Sequence, residues 1–148
     1  MKIANLDGRA VLVLGDQVAD IATASDGRFG PDPMALYEDW DAFTAFAAGV
    51  TGGTGPLDEA KLANPAPRPR QVFAIGLNYR SHAEESGMAI PEVPATFTKF
   101  PASLSGPFDP VEIVGGSVDW EVEQVAVLGR RAERVAGVDG WSYEAGQI

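Results

Sequence analysis

Val118-Asp119-Trp120-Glu121-Val122-Glu123-Gln124-Val125-Ala126-Val127-Leu128-Gly129 decides how the rest of this chain is read. β-Branched and aromatic residues alternate with polar ones and a glycine closes the run, which predicts a β-strand. Side chains on a strand point to opposite faces in turn, so Asp119, Glu121 and Glu123 share one face. Trp120 and Val122 take the other, which suits a buried core. A row of like charges costs stability unless something positive sits among them. A hard divalent cation such as Mg²⁺ or Ca²⁺, held through carboxylate oxygens, is one remedy. An acidic row turned to solvent, where water screens the repulsion, is the other.

Working outward, Val111 to Val114 predicts a short strand that Gly115-Gly116 turns into the acidic one. Ile90 to Pro110 contains five prolines and Gly106, so it predicts extended surface pieces with one short strand at Thr96 to Phe100. On that strand Lys99 shares a face with Phe97, where it can present a positive charge to an acidic substrate or to water. Before it, Gln71 to Gly76 is a short apolar run that predicts a buried strand. Ser81 followed by Glu84 has the form of a capping box, predicting a helix that starts near Ser81 and stops at Gly87. His82, the chain's one histidine, and Glu85 then lie on the same helical face. A carboxylate beside an imidazole orients the ring and stabilises its protonated form, as a general base requires. The same pair also suits an ordinary exposed helix. After Gly129, Arg130 to Arg134 reads as a basic surface stretch and Ala136 to Trp141 as a turn, with no clear final element.

Asn64-Pro65-Ala66-Pro67-Arg68-Pro69-Arg70 marks a boundary, because alternating prolines favour an extended connector. Ahead of it, Lys2–Asn5, Arg9–Leu14 and Gln17–Ile21 predict a β-meander turned at Asp7-Gly8 and Gly15-Asp16. Ser25 to Pro31 reads as a loop. Asp39 is a plausible N-cap for a helix with Trp40, Phe43, Ala47 and Val50 on one apolar stripe, ending at Gly52-Gly53. Leu57 to Leu62 adds a further helical turn. The expected organisation is an α+β lobe over residues 1–64, a Pro-rich connector over 65–70 and a second domain over 71–148.

The chain has 148 residues, 45% of them hydrophobic and 22% charged, the balance of a folded globular protein. A formal net charge of −10 argues against nucleic acid and anionic membrane surfaces as partners. The absence of cysteine excludes disulfides, zinc–thiolate sites and cysteine nucleophiles. The amino terminus does not read as a signal peptide and no apolar run is long enough to span a bilayer, so a cytoplasmic protein is expected. Phosphate-cradling glycine loops and the Gly-x-Ser-x-Gly elbow are also missing.

Ala74-Ile75-Gly76-Leu77-Asn78-Tyr79-Arg80-Ser81-His82-Ala83-Glu84-Glu85, Phe97-Thr98-Lys99, Ser105-Gly106-Pro107 and Val118 to Glu123 resemble, in order and spacing, the fumarylacetoacetate hydrolase family. The resemblance implies a small β-meander/helix lobe followed by the first part of a mixed β-roll, in a family whose members are usually homodimers. It implies action on a small acidic diketo or oxo compound with Mg²⁺, Mn²⁺ or Ca²⁺, chiefly hydrolysis of a carbon–carbon bond. By the same resemblance Glu121 and Glu123 are two metal ligands, His82 the base that activates water, Glu85 its partner, and Tyr79 and Lys99 substrate-binding residues. The family's third acidic ligand lies in a later strand, so this chain is expected to be truncated, with half the active site. The alternatives are a non-catalytic remnant or binding module, and a decarboxylase or isomerase of the same family.

Overall fold

In the computed structural model, which describes residues 1–148, Asp7 and Gly8 both take positive φ, 54° and 83°. That geometry matches the twist of a two-residue hairpin. They join β1 (Ile3–Leu6) to β2 (Arg9–Leu14), with Leu6 opposite Arg9. Gly15, at φ 68°, turns the chain into β3 (Gln17–Asp20), so the meander forms as expected. Two short strands, β4 (Gly55–Pro56) and β5 (Leu62–Ala63), complete an antiparallel sheet of order β4-β3-β2-β1-β5.

Helices cover one side of this sheet's apolar residues. Asp20 caps α1 (Ile21–Ala24), a short helix without a sequence signal of its own. A 3₁₀ turn over Pro33–Glu38 leads to α2 (Trp40–Ala47), where the Asp39 carboxylate accepts from the Ala42 N–H as a capping residue should. Trp40, Phe43 and Ala47 are buried with Ala10, Leu12, Ala19, Ile21 and Leu36. Phe43 anchors this core, with the Phe29 ring edge-on to it at 5.7 Å. α2 stops at Ala47, short of the expected Gly52-Gly53. Thr54 already donates to the Val18 carbonyl and Gly55 pairs with Val18, so the sheet takes the chain before the helix can continue. The helical turn near Leu57–Leu62 forms as a 3₁₀ turn over Glu59–Lys61.

The chain divides into two compact units, one of Met1–Pro67 with Ser105–Ile148 and the other of Arg68–Leu104. The second unit is a two-stranded ribbon, β6 (Val72–Gly76) against β7 (Ala95–Lys99), with α3 (Arg80–Glu85) between them in sequence. β6 is less buried than predicted: Phe73 is 61% exposed, because a two-stranded ribbon supplies no second layer. α3 also departs from its expected start. It begins at Arg80, Tyr79 is the N-cap without a side-chain cap bond, and Ser81 lies inside the helix. Its end agrees with expectation. Gly87 takes φ 65°, its N–H donates to the Glu84 carbonyl and the Met88 N–H to that of Ala83, the paired closure of a left-handed glycine stop.

In the first unit, residues 111–114 form no strand, and of the run 118–129 the strand β8 covers Ala126–Leu128 alone. β8 pairs with β9 (Glu144–Gln147), an element the residue pattern does not announce, and Val125 and Ile148 extend the ladder by exchanging both backbone hydrogen bonds. Residues 118–124 pair with no strand. Trp120 and Val122, expected to be buried, are 86% and 88% exposed. A strand gains its hydrogen bonds from neighbours, and alternation alone supplies none. Gly129 passes so close to α2 that an added Cβ would meet Trp40 Cγ at 2.9 Å. Arg130 then donates to the Asp41 carboxylate at 2.7 Å. No helix is long and apolar enough to cross a membrane.

Candidate functional site

In the Arg68–Leu104 unit, β6 ends at Gly76 and Leu77 takes a left-handed backbone, φ 52°. The chain then passes Asn78 and Tyr79 into α3. His82 and Glu85 lie on this helix, three positions apart and therefore on neighbouring surface, and both are exposed; Ala83 is the helix's buried contact. Tyr79 is 47% exposed at the head of the same helix.

Lys99 stands at the far end of β7, opposite Val72, whereas the ribbon end nearest α3 pairs Gly76 with Ala95. At ~3.3 Å per residue the Lys99 backbone is displaced by roughly 13 Å along the ribbon from that end. A groove of about 360 Å³ opens between Ile75–Asn78 and Ile90–Pro94. Neither the groove nor the backbone at Leu77 has a signal in the sequence, since leucine seldom adopts positive φ.

Glu121 and Glu123 belong to the other unit, on the exposed stretch that precedes β8. They offer hard oxygen donors two residues apart. Among the described residues, no group of three or more His, Asp and Glu side chains comes together to hold an ion. A divalent cation wants six or more oxygens, and two carboxylates do not form such a site by themselves.

Residues 71–146 match the profile of the fumarylacetoacetate (FAA) hydrolase C-terminal family. The chain belongs to the fumarylacetoacetate hydrolase family. Its similarity to solved members covers nearly all of it. A candidate HpcE protein from Mycobacterium smegmatis is 48% identical over 99% of this chain and 53% of its own, with a TM-score of 0.91. Maleylpyruvate hydrolase from Sphingobium sp. SYK-6, in complex with manganese(II) ion and pyruvate, is 28% identical with a TM-score of 0.69, over 99% of this chain and 56% of its own. Among curated relatives, the mitochondrial oxaloacetate tautomerase Fahd2a of Rattus norvegicus is 36% identical over 62% of this chain and 30% of its own length. The chain thus spans about half the length of the solved relatives. The α+β fold and the family resemblance agree with these relatives.

Proposed function

We propose that this chain contributes the His82 portion of a fumarylacetoacetate hydrolase-type active site, acting on a carbon–carbon bond of a small acidic diketo or oxo compound. The observation that carries the reading is that the family match over residues 71–146 takes in His82, Glu85, Lys99, Glu121 and Glu123 together. His82 accepts a proton from the attacking water, and Glu85, one helical turn away, is placed to orient the ring. Tyr79 and Lys99 supply a hydroxyl and a positive charge to an acidic substrate. Glu121 and Glu123 are two of the oxygen donors for Mg²⁺, Mn²⁺ or Ca²⁺, which when bound supplies positive charge for a developing enolate. The manganese(II) in the maleylpyruvate hydrolase relative supports a divalent cation in this role.

Enol–keto isomerisation is a second reading, favoured by the oxaloacetate tautomerases among the relatives. It needs the same base and charge and differs in leaving the carbon skeleton intact. Calorimetric titration with MnCl₂ or MgCl₂ tests the ligand assignment. Weak binding is expected, and the double substitution Glu121→Ala with Glu123→Ala should abolish it; unchanged heats in the double variant overturn the assignment. Assays with maleylpyruvate and oxaloacetate separate hydrolysis from tautomerisation. His82→Ala should remove either activity while leaving metal affinity intact.

A further inference from the structure

We propose that Leu77 is a positioning residue whose left-handed backbone sets where Tyr79 and His82 are presented; the inference rests on the proposed role of His82. Four non-glycine residues have positive φ: Asp7, Asp26, Leu77 and Arg134. Asp7 and Asp26 each precede a turn glycine and are of a type that tolerates this conformation. All but Leu77 are exposed, whereas Leu77 is half-buried and lines the groove with Ile75, Ile90 and Val93.

A leucine gains nothing locally from a left-handed backbone. Gly76, which would adopt it freely, stands next door and stays in register with Ala95 in the ribbon. The strain therefore sits on a residue whose side chain can be held by its surroundings, as happens where the backbone path itself matters. The way α3 begins makes that path decisive. Tyr79 heads the helix without a side-chain cap bond, so its own side chain does not fix the entry. The direction in which β6 releases the chain at Leu77 does so, and Ala83 seats the turn that carries His82.

The test uses the chain's one histidine as its own probe, through the imidazole proton signals in NMR spectra of wild type, Leu77→Gly and Leu77→Met. Leu77→Gly relieves the strain and frees the backbone. It should keep or raise the melting temperature while shifting or broadening the His82 signals beyond the wild-type linewidth. Leu77→Met keeps both the restrained backbone and an apolar side chain, and should return a single wild-type-like set. Unchanged His82 signals in Leu77→Gly overturn the proposal. So does loss of the fold in that variant, or an equal displacement in Leu77→Met, because packing alone would then place the helix. These signals report position whether or not His82 takes a proton. Activity that survives His82→Ala would sink the proposed base and leave this result standing.

Discussion

Asp20 accepts four hydrogen bonds with one carboxylate. They come from Arg9 Nε at 2.7 Å, Arg9 Nη2 at 3.0 Å, the Thr23 N–H at 2.9 Å and Thr23 Oγ1 at 2.8 Å. The hydrogen bonds from Arg9, more than any other contact, hold its pKa down at about 2. An acid whose folded pKa is depressed stabilises the fold above its unfolded value, near 3.8, and that stability is lost as pH falls through about 2. Asp20→Ala also removes the cap of α1, worth about 1 kcal/mol. Urea titrations of wild type and Asp20→Ala should therefore differ most at neutral pH and converge below pH 3. A gap that stays constant down to pH 2 would show that the ion pair adds nothing.

Among the elements, those written in local chemistry were legible from the residues and those that depend on a neighbour were not. Asp7-Gly8 fixes its hairpin, Asp39 caps α2 and Gly87 stops α3, because each acts within a few residues of itself. The acidic stretch at 118–124 alternates as a strand does, yet it has no ladder partner in this chain. β9 formed from Glu144–Gln147 without a strong strand composition because β8 lay available to it. The candidate site divides the same way. His82 and Glu85 fall on one helical face, as their spacing requires, while the Ser81 capping box gave way to a Tyr79 start set by the path from Leu77. Hydrogen exchange checks this division. Amides of Glu121 and Val122 should exchange at nearly unprotected rates, while those of β2, paired on both sides, should exchange last. Strong protection at Glu121 would mean that the stretch finds a strand partner in solution.

For the whole molecule, burial is unevenly shared. The buried hydrophobic residues lie between Ala10 and Ala66, with Ala83 the exception, whereas every large exposed hydrophobic except Met1 lies between Phe73 and Ile148. Phe100, Trp120 and Trp141 are 80%, 86% and 70% exposed, on a chain whose β6–β7 and β8–β9 ribbons each have two open edges. Apolar surface and unpaired edges on this scale drive association. The net charge of −10 opposes it, and the two forces respond differently to salt. Added salt shortens the reach of the repulsion from roughly 10 Å at 0.1 M to about 3 Å at 1 M and leaves apolar attraction in place. Light scattering should therefore give a mass near the 15.6 kDa monomer at low ionic strength and a dimer or larger species as salt is raised. Trp120→Glu with Phe100→Glu should shift that transition to higher salt, since each adds charge where apolar surface stood. A monomer at every salt concentration would mean that the exposed faces of residues 73–148 do not attract one another, and the homodimer expected from the family would then need a different surface.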